Sequence, residues 1–164
     1  MSVDIVAVDL GATSGRVIHA QVDSHSLHHE VVHRFGNGPL EQPDGLHWDA
    51  SGLFREIVHG IALLDQRGVR PSSIGVDSWA VDYGLLSGGK LLWEPFHYRD
   101  ARTERGVEFI HSHLDHAGLF QRNGLQFLPF TTLYQLATEQ WEGVAASADS
   151  LLLIPDLIAH WLGA

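Results

Sequence analysis

The sequence predicts an α/β domain built on a mixed sheet, whose opening strands are antiparallel and whose later strands are parallel, flanked by helices. Alternating apolar residues indicate three consecutive strands at about 3–10, 15–23 and 27–35. A segment with helical spacing separates them from a further strand at 74–77. The resulting order, β-β-β-α-β-α, is typical of this class because the helix allows the chain to return in a parallel direction.

A polar turn joins the first two predicted strands. The apolar run at 5–8 ends in the carboxylate of Asp9, and a turn with two glycines and two hydroxyls follows at 11–15. Successive N–H groups in such a turn can form an anion-binding concavity, to which Thr13 and Ser14 add hydroxyl donors. A carboxylate such as Asp9 suits a hydrated Mg²⁺, which takes few carboxylates and keeps several waters. The turn therefore predicts a phosphate clamp beside a metal-facing acid, with an ordinary glycine-containing hairpin as the alternative.

The middle of the chain predicts a loop and then a helix. Residues 36–47 are rich in Gly, Asn and Pro and are predicted to be a loop. A helix is predicted from a cap at Asp49 or Ser51 to about Gln66, because apolar residues recur at helical spacing and a glycine follows.

The sequence from residue 79 onwards predicts a hairpin, three helices and a last segment that is either a strand or the start of a helix. Two leucine-rich runs flank the turn sequence at 87–90, which indicates a hairpin between 79 and 98. Residues 151–154 are a short buried strand or the start of a helix that Pro155 would suit. Helical patterns lie at about 102–113, 116–122 and 131–142.

Composition excludes several classes of protein. The chain has 164 residues, is 45% hydrophobic, carries a formal net charge of −10 and contains no cysteine. The charge argues against a nucleic-acid partner, and the lack of cysteine agrees with a cytoplasmic protein without disulfides. No apolar run is long enough to predict a membrane span. The twelve histidines include clusters at 28–33 and 111–116, whose spacings do not predict a metal site.

Polar and aromatic residues follow the strand at 74–77. Ligands of α/β proteins collect beyond the carboxyl ends of strands. Asp77, Trp79 and Asp82 lie there and suit a polyhydroxylated ligand, since carboxylates accept from hydroxyls and an indole covers a sugar's C–H face. The alternative is that Trp79 belongs to the core and Asp82 caps a turn.

A third cluster lies at 97–103, where Arg99 and Arg102 concentrate positive charge in a chain with only ten Lys and Arg. A guanidinium can hold two oxygens of a sugar or phosphate. The alternative, compatible with this one, makes Asp100 a helix N-cap and Arg102 a solvated residue of the first turn.

These motifs together resemble the FGGY carbohydrate kinases, and within them the rhamnulokinases. The matching strings occur in family order and span nearly the whole chain. They include V-D-L-G-A-T-S-G-R at 8–16, D-S-W-A-V-D-Y at 77–83, Y-R-D-A-R-T at 98–103 and Q-F-L-P-F-T-T-L-Y-Q-L at 126–136. The last three strings are those that distinguish rhamnulokinases within the group.

The resemblance implies an actin-like, ribonuclease H-like domain that uses ATP and Mg²⁺. Asp9 would hold Mg²⁺ through water, and Asp77, Trp79, Ala80 and Arg99 would border the sugar. The implied phosphate-binding residues are Ala12, Thr13, Ser14, Gly15 and Arg16.

The implied reaction is ATP-dependent phosphorylation of L-rhamnulose to L-rhamnulose 1-phosphate in rhamnose catabolism. The family's general base, an aspartate in a His-Asp-Thr-like string, is not found here, so no catalytic residue is assigned. Residues 1–164 are therefore expected to be an incomplete N-terminal, sugar-binding domain without the adenine-binding domain, and inactive alone. An FGGY kinase for another ketose or polyol, and a non-catalytic sugar-binding module, are the alternatives.

Overall fold

The computed structural model describes residues 2–164, which form two compact units. The first unit comprises residues up to 39, 49–80 and 154–164, and the second comprises 40–48 and 81–153. The strands are β1 (Val3–Leu10), β2 (Ser14–Val22), β3 (Leu27–Gly36), β4 (Pro39–Gln42), β5 (Gly45–Trp48), β6 (Ser73–Ser78), β7 (Tyr83–Ser87), β8 (Lys90–Leu91) and β9 (Ser150–Leu153). The helices are α1 (Ala50–Gln66), α2 (Thr103–His111), α3 (His116–Asn123), α4 (Thr132–Trp141) and α5 (Ile154–Trp161), with a 3₁₀ turn at Val144–Ser147.

The first unit contains the predicted mixed sheet, with strand order β3-β2-β1-β6. β1 pairs antiparallel with β2 and parallel with β6, and β2 pairs antiparallel with β3. Alternate residues of β1, at 6, 8 and 10, are buried in the core with apolar residues of α1 and α5. The α/β class and the opening strand order are therefore confirmed.

Helix α1 begins where the sequence indicates. The Asp49 side chain accepts a hydrogen bond from the Gly52 N–H at 2.7 Å, which satisfies one of the unpaired donors of the first turn. Its buried positions, among them Leu53, Ile57 and Leu64, recur at helical spacing. The prediction of a capped amphipathic helix at this position is confirmed.

The prediction of a loop at 36–47 is wrong, because β4 and β5 form a two-stranded sheet within it. The turn between them depends on Gly45, whose φ of +143° disfavours any residue with a side chain. β5 is held by distant residues: the Leu46 N–H donates to Asp100 Oδ2 at 2.7 Å, and His47 bridges to Phe96. Tertiary contacts of this kind override a turn-rich composition.

The second unit also contains a three-stranded sheet with order β8-β7-β9, and helices α2 to α4. The predicted hairpin is confirmed as β7 and β8, and the three predicted helices are confirmed to within two residues at each end. Both alternatives for the terminal segment are partly right, because β9 passes directly into α5. In the described part of the chain, no helix is long and apolar enough to cross a membrane.

Candidate functional site

The turn between β1 and β2 is closed by its own backbone and by the end of β3. The Gly11 N–H donates to the Ser14 carbonyl at 2.9 Å, and the Asn37 N–H donates to the Thr13 carbonyl at 3.1 Å. The Asn37 side chain also donates from Nδ2 to the Gly11 carbonyl, at 2.8 Å. Asn37 thus holds both sides of the turn. The motif at 9–16 does not indicate this residue, and an asparagine just after the third strand is the only signal for it in the sequence.

The glycines of this turn have ordinary backbone conformations, and Gly15 serves packing. Neither Gly11 nor Gly15 has a positive φ. At Gly15 a Cβ would overlap the aromatic ring of Phe35, which occupies the paired position on β3. The ring therefore requires glycine at position 15, and the sequence argument that these glycines admit a ligand's close approach stays a prediction.

A row of charged residues crosses the sheet at the level of this turn. Arg16 is paired with Arg34 on β3 and with Asp9 on β1, and Asp9 is paired with Asp77 on β6. Directly paired residues project from the same face of a sheet, about 5 Å apart. The structure therefore brings Asp9, Arg16 and Asp77 together, although the sequence motifs that contain Asp9 and Asp77 are more than sixty residues apart.

Arg16 and Asp9 form an ion pair, from Nη2 to Oδ2, and their side chains are 39% and 34% exposed. Asp77 is exposed. The Asp9 carboxylate offers the hard oxygen ligand that Mg²⁺ prefers, and solvent access leaves room for the waters it keeps. The residues present therefore fit the expected cation. Arg16 balances the charge of Asp9 in the structure as it stands.

Trp79 and Ala80 are the last two residues of the segment 49–80, which belongs to the first unit. Trp79 is half-buried and packs against the core of that unit, as one of its alternatives predicts. Ala80 is exposed. Contact of either residue with a sugar stays a prediction.

Asp82 lies in the second unit and is not the exposed ligand of a sugar that one of its interpretations predicts. Its side chain is fully buried. Asp82 Oδ2 accepts from Trp48 Nε1 at 2.6 Å, and Oδ1 accepts from Gln135 Nε2 at 2.8 Å. The carboxylate is therefore an internal acceptor between β5 and α4 rather than an exposed sugar ligand.

The arginines of the third cluster differ in their surroundings. Arg99 is exposed, and its Cζ lies 5.4 Å from the centre of the Tyr98 ring. Arg102 has a side chain only 10% exposed, which donates to Glu139 at 3.0 Å and lies over the Phe96 ring at 3.8 Å. The interpretation of Arg102 as solvated is wrong, because the ion pair and the ring enclose it.

Asp100 is not the N-cap of α2, which is Arg102. Its carboxylate accepts instead from the N–H of Arg102 at 2.8 Å and from the N–H of Leu46 at 2.7 Å. Asp100 thus ties the segment before the helix to β5, a role that depends on a residue far away in sequence.

The histidine clusters make contacts within the fold. His33 binds Glu56 at 2.6 Å, while the rings of His111 and His116 lie 3.6 Å apart and His111 Nε2 contacts the Tyr134 hydroxyl at 2.8 Å. Among the described residues, no group of three His, Cys, Asp or Glu side chains is arranged to hold a metal ion.

Curated relatives of this chain are rhamnulokinases. It is 44% identical over 168 residues to that of Pectobacterium carotovorum, covering 97% of this chain and 33% of the relative. It is 42% identical over 158 residues to that of Enterococcus faecalis, covering 94% of this chain and 32% of the relative, and 35% identical to that of Bacillus subtilis, covering 95% and 32%. The chain thus spans about one third of the length of these relatives. No protein-family model matches it.

Solved sugar kinases share the fold. A gluconate kinase from Lactobacillus acidophilus superposes with a TM-score of 0.77 at 16% identity, covering 96% of this chain and 32% of that protein. A xylulose kinase from Rhodospirillum rubrum gives 0.70 at 17% identity, covering 96% and 34%. The predicted actin-like, ribonuclease H-like fold is confirmed. By sequence, the chain is similar to rhamnulokinases over 94–97% of its own length.

Proposed function

We propose that this chain contributes part of the active site of an ATP-dependent sugar kinase that converts L-rhamnulose to L-rhamnulose 1-phosphate. The observation that carries the proposal is the similarity to rhamnulokinases along 94–97% of the chain. The strings at 77–83, 98–103 and 126–136, which resemble those of rhamnulokinases, are part of this aligned length. The proposed substrates are ATP and the sugar.

The turn at 12–16 is the proposed binding site for the ATP phosphates. Thr13 is exposed at its tip, and Ala12 and Ser14 are partly exposed. Asn37 fixes the backbone on both sides, so that the N–H and hydroxyl donors are oriented before the nucleotide binds. Phosphoryl transfer depends mainly on such positioning and on charge neutralisation.

Asp9 is the proposed water-mediated ligand of Mg²⁺, and Arg16 is a proposed ligand of the ATP phosphates. A bound Mg²⁺ supplies positive charge beside the transferring phosphoryl group. Asp9 would hold the cation through water, and Arg16, which pairs with Asp9 in this structure, would offer its guanidinium to phosphate oxygens. Asp77, one strand further along the same row, completes the acidic end and accepts sugar hydroxyls in this proposal.

The test uses the longest natural polypeptide that carries this sequence. A coupled assay measures ADP release with ATP, Mg²⁺ and L-rhamnulose, with L-fructose, D-xylulose and glycerol in parallel. Turnover that is highest with L-rhamnulose supports the proposal. A preference for another ketose or polyol assigns a different sugar kinase, whereas sugar binding without turnover indicates a binding module.

A further inference from the structure

Val81 has an unusual backbone conformation. Among the described residues it is the only non-glycine residue with a positive φ, at 74°. A β-branched side chain is strongly disfavoured there, because its Cβ crowds the following carbonyl oxygen. Such a conformation persists only where surrounding contacts enforce it, and it commonly marks a functional segment.

Three side chains from distant elements hold the segment Val81–Asp82. The Thr132 hydroxyl donates to the Val81 carbonyl at 2.8 Å. Gln135 Nε2 donates to Asp82 Oδ1 at 2.8 Å, and Trp48 Nε1 donates to Asp82 Oδ2 at 2.6 Å. Every contact lies within the second unit. We call Trp48, Asp82, Thr132 and Gln135 the clamp.

Three members of the clamp are buried, and Thr132 is partly buried. Trp48 and Asp82 are 0% exposed and Gln135 is 2% exposed. A buried carboxylate is costly unless donors surround it, and both Asp82 oxygens have one. Gln135 Nε2 also donates to the Phe130 carbonyl at 3.0 Å, which fixes the amide orientation. The arrangement therefore has little freedom to adopt another geometry.

The clamped segment belongs to the string at 77–83, whose first residue, Asp77, is proposed to accept sugar hydroxyls. Ala80 precedes Val81 directly, and Trp79 precedes Ala80. Val81 also lines a cavity of about 600 Å³ in the second unit, together with Phe127 and Leu128. A shift of the peptide at Val81 would move the wall of this cavity.

We propose that the clamp is a positioning device, which holds Val81 in its left-handed conformation so that the backbone at Val81 is preorganised for the sugar. This inference rests on the proposed sugar kinase function. It names Asp82, Gln135 and Thr132 as positioning residues that do not themselves touch the substrate. The clamp acts on sugar affinity and leaves ATP affinity unchanged.

The first test is Asp82→Asn in the longest natural polypeptide. The replaced oxygen becomes an NH₂ group that faces either the Trp48 or the Gln135 donor, so the clamp opens. We expect the KM for L-rhamnulose to rise at least tenfold and the KM for ATP to change less than twofold. The double variant Val81→Gly/Asp82→Asn should recover at least threefold of this loss, because glycine adopts the left-handed conformation without a clamp.

A milder variant covers the case in which Asp82→Asn does not fold. Thr132→Val removes only the bond to the Val81 carbonyl and should raise the sugar KM about threefold, while Thr132→Ser restores it. Thr131→Val is the matched control, because the Thr131 hydroxyl makes no capping bond to α4. Its sugar KM should stay within 1.5-fold of the wild-type value.

The outcomes separate this inference from the proposed function. If the wild-type polypeptide phosphorylates no sugar, the proposed function fails, and the positioning role with it. If the wild type is active and folded Asp82→Asn or Thr132→Val keeps the normal sugar KM, the function stands and the clamp is only structural. Loss of sugar and ATP affinity together also overturns the positioning role.

Discussion

Asp77 and Asp82 lie five residues apart in one short string, yet their surroundings are opposite. Asp77 is exposed near the end of β6, where it is directly paired with Asp9 on β1. Asp82 is fully buried and accepts two hydrogen bonds from side chains of β5 and α4. The same residue type therefore serves an open, ligand-accessible row in one unit and a closed internal network in the other.

The difference lies in whether the polar groups can change partners. The side chains of Arg16 and Asp9 are 39% and 34% exposed, so water can replace either partner at little cost. The donors to Asp82 are buried, so removing the acceptor takes from each of them a hydrogen bond that water cannot replace. An exposed pair can respond to a ligand, whereas a buried network can only hold a shape.

The largest expected effect separates these two carboxylates by stability. Asp82→Ala leaves the Trp48 and Gln135 donors buried without their acceptor, and we expect a loss of about 4 kcal/mol in the free energy of unfolding. Asp77→Ala is the matched control, with an expected change of less than about 0.5 kcal/mol because the side chain is exposed. Urea denaturation of both variants of this chain, followed by circular dichroism, measures the difference.

Equal stabilities for the two variants would contradict the comparison. That result would mean that Asp82 is accessible to water, and the distinction between an open row and a closed network would then be lost.

The next effect concerns activity in the exposed row. We expect Asp9→Asn, in the longest natural polypeptide, to lower kcat about 100-fold while the sugar KM changes little, because the carboxylate acts on charge in the transition state. Asp4→Asn is the control on the same strand: Asp4 accepts from His19 and Gln21, away from the turn. Steady-state kinetics at saturating Mg²⁺ measure both variants. A wild-type kcat for Asp9→Asn would make Asp9 a turn residue only.

The parts of the fold that the sequence predicts correctly are those set by local pattern. The alternating strands at 3–10 and 15–23 and the cap of α1 at Asp49 depend on neighbours in the chain. The β4–β5 sheet could not be predicted, since its partner Asp100 lies more than fifty residues away. Its composition indicates only a loop.

The candidate site shows the same division. The motif at 9–16 indicates where the polar groups concentrate, but the row formed by Asp9, Arg16 and Asp77 depends on strand register, which a single sequence does not specify. Asn37 and the burial of Asp82 were missed for the same reason. A carboxylate's role follows from what packs around it, which local pattern does not encode.

A smaller effect tests why the turn contains Gly15. The Phe35 ring occupies the space of a Cβ, so Gly15→Ala should lower the free energy of unfolding by about 2 kcal/mol through overpacking. Gly75→Ala is the control, since no atom lies within 4 Å of the added Cβ. Gly15→Ala with Phe35→Leu should recover part of the loss. Thermal unfolding of the three variants measures the change in stability. If Gly15→Ala is as stable as the wild type, packing does not explain the glycine, and close approach of a ligand becomes the better explanation.

The smallest effect concerns the pH response of the buried region. His97 stacks on Trp48 at 4.0 Å and accepts the Arg99 N–H on Nδ1 at 3.0 Å. Burial, with the Arg99 charge as a lesser cause, lowers the pKa of His97 from 6.5 to about 4. The unfolded chain therefore binds a proton below pH 6.5 that the folded chain does not bind until about pH 4. The stability that His97 contributes is present above pH 6.5 and is lost as the pH falls towards 4.

His97→Phe keeps an aromatic ring beside Trp48 and cannot titrate. Between pH 7 and pH 5.5 the wild type should lose about 1 kcal/mol more unfolding free energy than this variant, since one pH unit of unequal proton binding corresponds to about 1.4 kcal/mol. The comparison uses the slope against pH, because the variant also loses the acceptor for Arg99 and starts from a lower stability. His25→Phe, at an exposed turn position, controls for the loss of a histidine. Parallel slopes for wild type and His97→Phe would mean that the imidazole takes up its proton in the folded protein, and the stacked ring beside the clamp would then be open to water.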